Sequence, residues 1–277
     1  MSNLVQRFAT ALALIPLLIA AIQWKQPYGV LAWVLLAQIT GLREWMNMTL
    51  PKEPVAGRAL GVLVGVAYGL VLALYPHPNV VLLGLCAATI AGFLYFLFQH
   101  GEIETVAMRI SMWLAGIVYA GVLIVPLALF KTAGGPLGGG LWIYVCLTSA
   151  WLSDTFAYFA GRFLGPFVPA KLWPSVSPKK TWIGSGGGLL GSLVALTIAK
   201  LWYLPQLEWL DVVLLGVPAN VLGQLGDLAE SLIKRSVGVK DSGVLLPGHG
   251  GMLDRIDALL LVVPYVYGYA VYRFPGG

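Results

Sequence analysis

Ionisable side chains are concentrated in one stretch near the C-terminal end of the chain. Of the 17 Lys and Arg and 12 Asp and Glu, nine lie within residues 227–257: Asp227, Glu230, Lys234, Arg235, Lys240, Asp241, Asp254, Arg255 and Asp257. A segment that only joined two helices would not need both signs of charge at this density. It is therefore the first candidate for chemistry, and an ion-paired loop is the alternative.

The spacing of these residues places carboxylates on two helix faces. One face carries, at i, i+3, i+4 and i+7, the side chains Asp227, Glu230, Ser231 and Lys234. Asp254 and Asp257 share a face at the start of the last helix. Two such faces at the ends of neighbouring helices suit a hard divalent cation, and Mg²⁺ prefers one or two carboxylates plus substrate phosphates. The glycine-rich turn at 246–251 offers backbone N–H groups to phosphate.

A second polar cluster spans residues 177–188. Lys179 and Lys180 precede Thr181 and a glycine run that opens a helix. Lysines and a helix N-terminus both favour phosphate there. The cluster is not a P-loop, because its lysines precede the glycines. The alternative is helix packing, since Gly184 and Gly188 are four residues apart.

Two further residues are isolated candidates. Asp154 lies within an apolar stretch, where an acid is costly and indicates function by default. A structural bond from Asp154 to another helix is the alternative. His249 lies in the glycine-rich turn, where stabilising the turn and taking part in catalysis are equally compatible with the sequence.

The composition indicates that a membrane holds these residues in place. Of the 277 residues, 58% are hydrophobic and only 10% are charged, and the mean hydropathy is +0.83. A soluble domain carries about 25% charged residues. Disorder, a disulfide scaffold and an ordinary soluble enzyme are excluded. The sequence predicts an all-α, polytopic integral membrane protein.

Uncharged stretches long enough to span a bilayer predict nine transmembrane helices. The stretch at 59–101 is long enough for two helices and is broken at 75–79, where prolines end helices and form turns. The predicted spans are 6–23, 28–46, 58–75, 79–98, 111–130, 141–162, 185–203, 209–228 and 256–272. We expect residues 1–110 to serve packing or dimerisation and residues 111–277 to form the catalytic region, within one membrane-embedded unit.

The positions of Lys and Arg set the predicted orientation. With nine spans, 13 of the 17 fall in loops on one side of the membrane, which should be cytoplasmic. The N-terminus and the charged segment then face the cytoplasm. The net charge of +5 comes from these short loops, so it indicates orientation and not nucleic-acid binding. In the third helix, glycines recur every four residues from Gly57 to Gly69, a ridge for helix packing or dimerisation.

The run from Ser231 to Asp257 resembles the signature of the phosphatidate cytidylyltransferases, the CDP-diacylglycerol synthases. It fits the pattern S-x-x-K-R-x(4)-K-D-x-G-x(2)-L-P-G-H-G-G-x-x-D-R-x-D over its whole length. The Ser-Pro-Lys-Lys-Thr run and the segment from Asp154 to Gly165 also resemble this family. The family usually has Glu where this chain has Ile183, so that carboxylate is absent or supplied elsewhere.

The resemblance implies transfer of CMP from CTP to phosphatidate, giving CDP-diacylglycerol and pyrophosphate. It implies Asp227 and Asp254 as metal ligands, for Mg²⁺ or Mn²⁺ with a monovalent cation as a further option. The implied catalytic residues are Asp227, Asp254, Lys234, Arg235 and Asp257. The implied substrate contacts are Lys179, Lys180, Thr181, Ser231, Lys240, Asp241, His249, Gly250, Gly251, Arg255 and Asp154. The expected partners are CTP, phosphatidate, membrane lipid and a second copy in a homodimer, in the cell inner (plasma) membrane.

Two other functions are compatible with a helical membrane protein. An ion-coupled transporter would explain an intramembrane acid and glycine-broken helices, but not a dense mixed-charge loop on one side only. A CDP-alcohol phosphatidyltransferase would use the product instead of making it. Its pattern D-G-x(2)-A-R-x(8)-G-x(3)-D-x(3)-D is not present in the sequence.

Overall fold

The computed structural model describes residues 3–132, 139–168, 170–245 and 250–274, which are mainly helical. Helices occupy each of the nine predicted places in this part of the chain. Two of the ten helices, the fifth and the sixth, share one of these places. The helices are α1 Asn3–Gln23, α2 Tyr28–Thr49, α3 Val55–Leu74, α4 Pro78–Phe98, α5 Val106–Gly116, α6 Pro126–Thr132, α7 Leu141–Phe163, α8 Trp182–Ile198, α9 Trp209–Ser236 and α10 Leu253–Arg273.

The predicted fifth helix is interrupted. A 3₁₀ turn at Ile103–Thr105 leads into α5, and a π-helical turn at Ile117–Val122 separates α5 from α6. Pro126 begins α6, a position where its missing N–H costs nothing. The break between α3 and α4 is confirmed: Pro78 lies in the first turn of α4, and the His77 side chain accepts a hydrogen bond from the Asn79 N–H at 3.2 Å.

Five helical segments are long and apolar enough to cross a bilayer. Among the described residues they are Val55–Leu74, Pro78–Phe98, Ile103–Thr132, Trp182–Tyr203 and Trp209–Ser236. Helices satisfy their backbone hydrogen bonds internally, which hydrocarbon requires. Large apolar side chains such as Leu63, Phe98 and Trp202 are exposed on these segments. The protein is therefore a helical membrane protein.

The chain forms two compact units. Unit 1 comprises residues 1–132 and 237–256, and unit 2 comprises residues 133–236 and 257–277. The end of the charged segment thus returns to the N-terminal helices, and α10 begins in unit 1 and continues in unit 2. The predicted assignment of roles, packing before residue 110 and catalysis after it, stays a prediction.

The glycine ridge of α3 packs within unit 1. A Cβ at Gly61 would lie 2.7 Å from Met46 Cε of α2, and one at Gly65 would lie 3.5 Å from Ile117 Cγ1. The Trp113 indole donates a hydrogen bond to the Gly57 carbonyl at 3.3 Å. Small residues let these helices approach closely, as in other membrane bundles, so the packing interpretation of the ridge is confirmed.

In unit 2, the glycines of α8 pack against α7 and α9. A Cβ at Gly184 would lie 3.1 Å from the Ala157 carbonyl oxygen of α7. One at Gly188 would lie 2.8 Å from Asn220 Oδ1 of α9 and 3.0 Å from Ser153 Oγ of α7. The helix-packing interpretation of Gly184 and Gly188 is therefore confirmed.

A small antiparallel hairpin departs from the all-α prediction. Its strands are β1 Lys171–Trp173 and β2 Ser177–Thr181, with Lys171 opposite Thr181 and Trp173 opposite Ser177. β1 has only three residues and the five of β2 are all polar or proline, so neither strand shows the alternation of apolar and polar residues that identifies a strand from sequence. The hairpin carries Lys179 and Lys180 to the start of α8.

Candidate active site

The second lysine of the 177–188 cluster pairs with the first acid of the charged segment, within unit 2. Lys180 Nζ lies 2.7 Å from Asp227 Oδ2, and the two side chains are 22% and 38% exposed. Ser231, one turn further along α9, donates a hydrogen bond to Asp227 Oδ1 at 3.3 Å. The structure thus brings together three predicted site residues from two separate motifs.

Local structure explains the placement of Lys180. Thr181 is the N-cap of α8, where its buried hydroxyl accepts a hydrogen bond from the Gly184 N–H at 3.1 Å. The predicted helix start after the lysine pair is therefore confirmed. The hydroxyl of Thr181 has this structural bond, and its contact with substrate stays a prediction.

The helix face predicted from residue 227 onward is confirmed, because α9 continues to Ser236. It also carries a buried ion pair. Lys234 Nζ lies 2.7 Å from Glu230 Oε2, and the side chains are 9% and 0% exposed. A buried charge is costly unless it is paired. Lys234 is thus held beside Glu230, and its predicted contact with phosphate stays a prediction.

Three other carboxylates of unit 2 lie near enough to Asp257 to act on its charge. The half-buried Asp257 experiences repulsion from Asp227, Glu230 and, more weakly, Asp154. Gly226 makes this proximity possible, because a Cβ there would lie 2.5 Å from the Asp257 carbonyl oxygen and 3.3 Å from Ala258 Cα. The absent side chain lets α9 approach the backbone of α10 closely at residues 257–258.

The oxygen donors fit a hard cation by their chemistry, because carboxylates are ligands that Mg²⁺ accepts. Among the residues that the structure describes, no three Asp, Glu, His or Cys side chains converge as a ready-made metal cage. Such a cage is not required, since Mg²⁺ usually binds through one or two carboxylates together with water and substrate phosphates.

A buried polar layer connects α7, α8 and α9. Ser153 and Gln224 both donate to Asn220 Oδ1, at 2.9 and 2.8 Å, and Gln224 also donates to the Ser185 carbonyl at 3.2 Å. Sequence reasoning did not select these residues. The available signal was the pair Asn220 and Gln224, four residues apart in the otherwise apolar stretch 212–226 of α9. The layer fixes the first turns of α8, which follow Lys180, against α9, which carries Asp227.

In unit 1, Asp254 organises the turn that precedes α10. Its Oδ2 accepts hydrogen bonds from the Ser242 N–H at 3.0 Å and the Gly251 N–H at 2.9 Å. The Asp254 N–H in turn donates to Ser242 Oγ at 3.3 Å. A Cβ at Gly250, which has φ +80°, would lie 2.7 Å from the same carboxylate oxygen. Asp254 is therefore oriented by backbone donors, and the Gly251 N–H has a partner within the chain.

Glu44 of α2 is a site-associated residue that the sequence analysis missed. This buried carboxylate accepts hydrogen bonds from the N–H groups of Met252 and Leu253 and from the Ser242 hydroxyl. Glu44 is an acid within a predicted span, which is the same signal that selected Asp154. Its partners lie about 200 residues away in the sequence, so no local pattern connects Glu44 to the site.

The remaining predicted site residues lie at the surface or outside the described residues. The side chains of Lys179, Arg235, Lys240, Asp241, Arg255 and Asp154 are exposed. His249 lies outside the described residues. Asp227 belongs to unit 2 and Asp254 to unit 1. The roles of these residues in binding substrate or metal stay predictions.

Comparison with known proteins decides the family. The model of the Cytidylyltransferase family matches residues 5–273 of the chain. The chain belongs to the cytidylyltransferase family. Its enzyme class, a nucleotidyltransferase, follows from this membership.

Among its curated relatives, the phosphatidate cytidylyltransferase of Brucella abortus (strain 2308) is 33% identical over 271 residues, 96% of this chain and 93% of that protein. The protein of that name from Synechocystis sp. is 34% identical over 260 residues, 85% and 86% of the two chains. The one from Bacillus subtilis is 44% identical over 129 residues, about half of each chain. The predicted resemblance to these enzymes is confirmed.

Proposed function

We propose that this cytidylyltransferase transfers CMP from CTP to phosphatidate and releases pyrophosphate, forming CDP-diacylglycerol. The family match and the names of relatives that align along most of the chain support this reaction. The observation that carries the proposal is the contact between Lys180 and Asp227. It joins a cation that immediately precedes α8 to an acid of the charged segment at 227–257.

The residues suit the chemical difficulty of this reaction. A phosphatidate oxygen attacks the α-phosphorus of CTP, and pyrophosphate leaves from the opposite side. This oxygen is already ionised near neutral pH, so no strong base is required. The difficulty is to bring two polyanions together, which fixed cations achieve by positioning and charge stabilisation. We assign Lys179, Lys180 and the N-terminus of α8 to the triphosphate of CTP. Lys234, Arg235 and Arg255 are further phosphate contacts.

Asp227 and Asp254 are the proposed ligands of Mg²⁺ or Mn²⁺, and a monovalent cation is a further proposed requirement. When bound, the divalent ion would neutralise part of the phosphate charge. Asp257 and Asp154 would support this role, either as further ligands of the ion or by orienting its ligands. In this arrangement Lys180 exchanges its carboxylate partner for a phosphate oxygen of CTP.

The proposed setting is the inner (plasma) membrane, with nine helical segments crossing it and the N-terminus in the cytoplasm. The distribution of Lys and Arg supports this topology, and it places the hairpin and the signature motif on the cytoplasmic side. The acyl chains of phosphatidate would stay in the bilayer while its phosphate reaches the polar residues. A homodimer is the proposed assembly.

The test is production of CDP-lipid by purified protein supplied with labelled CTP, phosphatidate and Mg²⁺. Wild type should form CDP-diacylglycerol and pyrophosphate in equal amounts, and only when both substrates are present. Asp227→Asn should lower turnover about 10²-fold or more, the scale of losing one electrostatic stabiliser.

Glu208→Gln is the matched control. Glu208 immediately precedes the opposite end of α9 and is also ion-paired, 2.9 Å from Arg273. This variant should retain activity. A wild type that forms no CDP-lipid would overturn the proposed reaction, and an active Asp227→Asn would overturn the role of Asp227.

A further inference from the structure

The carboxylate of Glu44 contacts the segment that joins α9 to α10 at Ser242 and at its last residue, Met252. We call this segment the signature loop (residues 237–252, of which 246–249 lie outside the described residues). Glu44 Oε1 accepts the Met252 N–H at 2.9 Å. Oε2 accepts the Leu253 N–H at 2.8 Å and the Ser242 hydroxyl at 3.0 Å. The contacts all lie within unit 1.

These bonds explain how the first turn of α10 is held. The first N–H groups of a helix have no partner within the helix. For the Leu253 N–H of α10, the partner is the Glu44 carboxylate of α2, and a carboxylate is favoured at a helix N-terminus. Glu44 is buried, so it requires these donors as much as they require an acceptor.

The hydroxyl of Ser242 connects Glu44 to Asp254. It donates to Glu44 and accepts the Asp254 N–H at 3.3 Å, while the Ser242 N–H donates to Asp254 Oδ2 at 3.0 Å. This reciprocal pair resembles a capping box, in which a hydroxyl and an acid exchange backbone hydrogen bonds. Glu44 therefore fixes the direction of the hydroxyl that fixes Asp254.

Two glycines of the signature motif are explained by the same carboxylate. A Cβ at Gly243 would lie 2.7 Å from Glu44 Oε1. A Cβ at Gly251 would overlap both Ser242 Oγ and Glu44 Oε2. A side chain at either position would displace the Glu44 carboxylate from the place where it accepts these hydrogen bonds. The Gly251 N–H then reaches Asp254, so the glycines serve this packing in addition to any contact with substrate.

We propose that Glu44 is a positioning residue of the active site, which holds the signature loop and orients Asp254 through Ser242. This inference rests on the proposed function for the role of Asp254 as a metal ligand. The hydrogen-bond network itself does not depend on that function.

The decisive measurement is hydrogen–deuterium exchange of the detergent-purified full chain without substrate or metal. Glu44→Gln keeps the size of the side chain but offers one acceptor oxygen and an NH₂ group to donors that now meet two oxygens. Uptake in residues 237–256 should increase about tenfold in rate or more, because a hydrogen bond to a charged group is lost.

Glu53→Gln is the control. Glu53 is also a buried acid of unit 1, but it accepts hydrogen bonds from Arg109 and Tyr95. Its replacement should leave uptake in the signature loop unchanged. Ser242→Ala is a smaller change, because it keeps the Glu44 contacts to Met252 and Leu253. It should also raise deuterium uptake in the loop, and it tests the proposal if Glu44→Gln does not fold. Unchanged uptake in the folded variants, or an equal increase in Glu53→Gln, would overturn the proposal.

A second measurement separates positioning from general stability. The Mg²⁺ concentration for half-maximal activity should rise about 10- to 100-fold in Glu44→Gln, the usual effect of removing a residue that orients a metal ligand. It should stay constant in Glu53→Gln. If the wild type forms no CDP-lipid, the proposed function fails while deuterium uptake still tests the network. If the wild type is active and both variants show its Mg²⁺ response, the positioning role fails.

Discussion

The contact between Lys180 and Asp227 leads to a prediction that separates stability from catalysis. The two charges are 2.7 Å apart but 22% and 38% exposed. Partly exposed ion pairs contribute about 0–1 kcal/mol to stability. Lys180→Ala and Asp227→Asn should therefore change the unfolding midpoint only slightly, and a double-mutant cycle should give a coupling energy below about 1 kcal/mol.

The effect on activity should be much larger. A charge-assisted hydrogen bond to phosphate is worth about 1.5–3 kcal/mol, which corresponds to about 10- to 100-fold in rate. If Lys180 contacts the triphosphate, kcat/KM for CTP should fall by this amount in Lys180→Ala. The same loss would apply to Lys179→Ala if that lysine makes the contact. The value of kcat/KM for phosphatidate should change less than the value for CTP.

The assay is run in neutral detergent, varying CTP at saturating phosphatidate and then the reverse. Lys171→Ala is the control, because Lys171 is an exposed lysine on the other strand of the same hairpin. Its CTP kinetics should match wild type. If the CTP kinetics of Lys179→Ala and Lys180→Ala are also unchanged, the lysine pair does not bind CTP and the reasoning is refuted.

Two further predictions concern the signature loop and its side of the membrane. Gly251→Ala should destabilise the protein by about 1–3 kcal/mol, because the new Cβ would overlap Ser242 and Glu44. Thermal unfolding would show this loss, and Gly186→Ala is the control, since a Cβ there meets nothing within 4 Å. Single cysteines in place of Ser175 or the 95% exposed Val244 should resist impermeant thiol reagents in intact cells and react after permeabilisation. Labelling of both in intact cells would contradict the cytoplasmic location.

Helix positions were predictable because the membrane imposes a simple rule on the sequence. Charge-free stretches of about 20 residues identify the helices, and the prolines at 75–79 identify a boundary. The extension of α9 to Ser236 was also readable, from the shared face of Asp227, Glu230 and Lys234. The π-helical turn at 117–122 was not, since its residues satisfy the same hydropathy pattern as an α-helix.

Contacts between distant segments were the part that spacing could not predict. The resemblance to cytidylyltransferases selected Lys180 and Asp227 separately, and only the fold shows that they touch. Glu44 was missed because its partners are 198 to 209 residues away, and no local pattern encodes them. Gly251 was predicted to meet phosphate, whereas it also makes room for Glu44, as does Gly243, for which nothing was predicted.

The return of residues 237–256 to unit 1 has a consequence for the order of folding. Helices α1 to α6 are synthesised first, but the donors for Glu44 emerge only after α9 is complete. Until then the nascent unit contains an acid without its native partners, and closing a loop of about 200 residues carries a large entropic cost. Folding of unit 1 can therefore be completed only after residues 237–256 have been synthesised. A polypeptide that ended after α9 would retain most of its apolar helices yet lack the segment that completes unit 1.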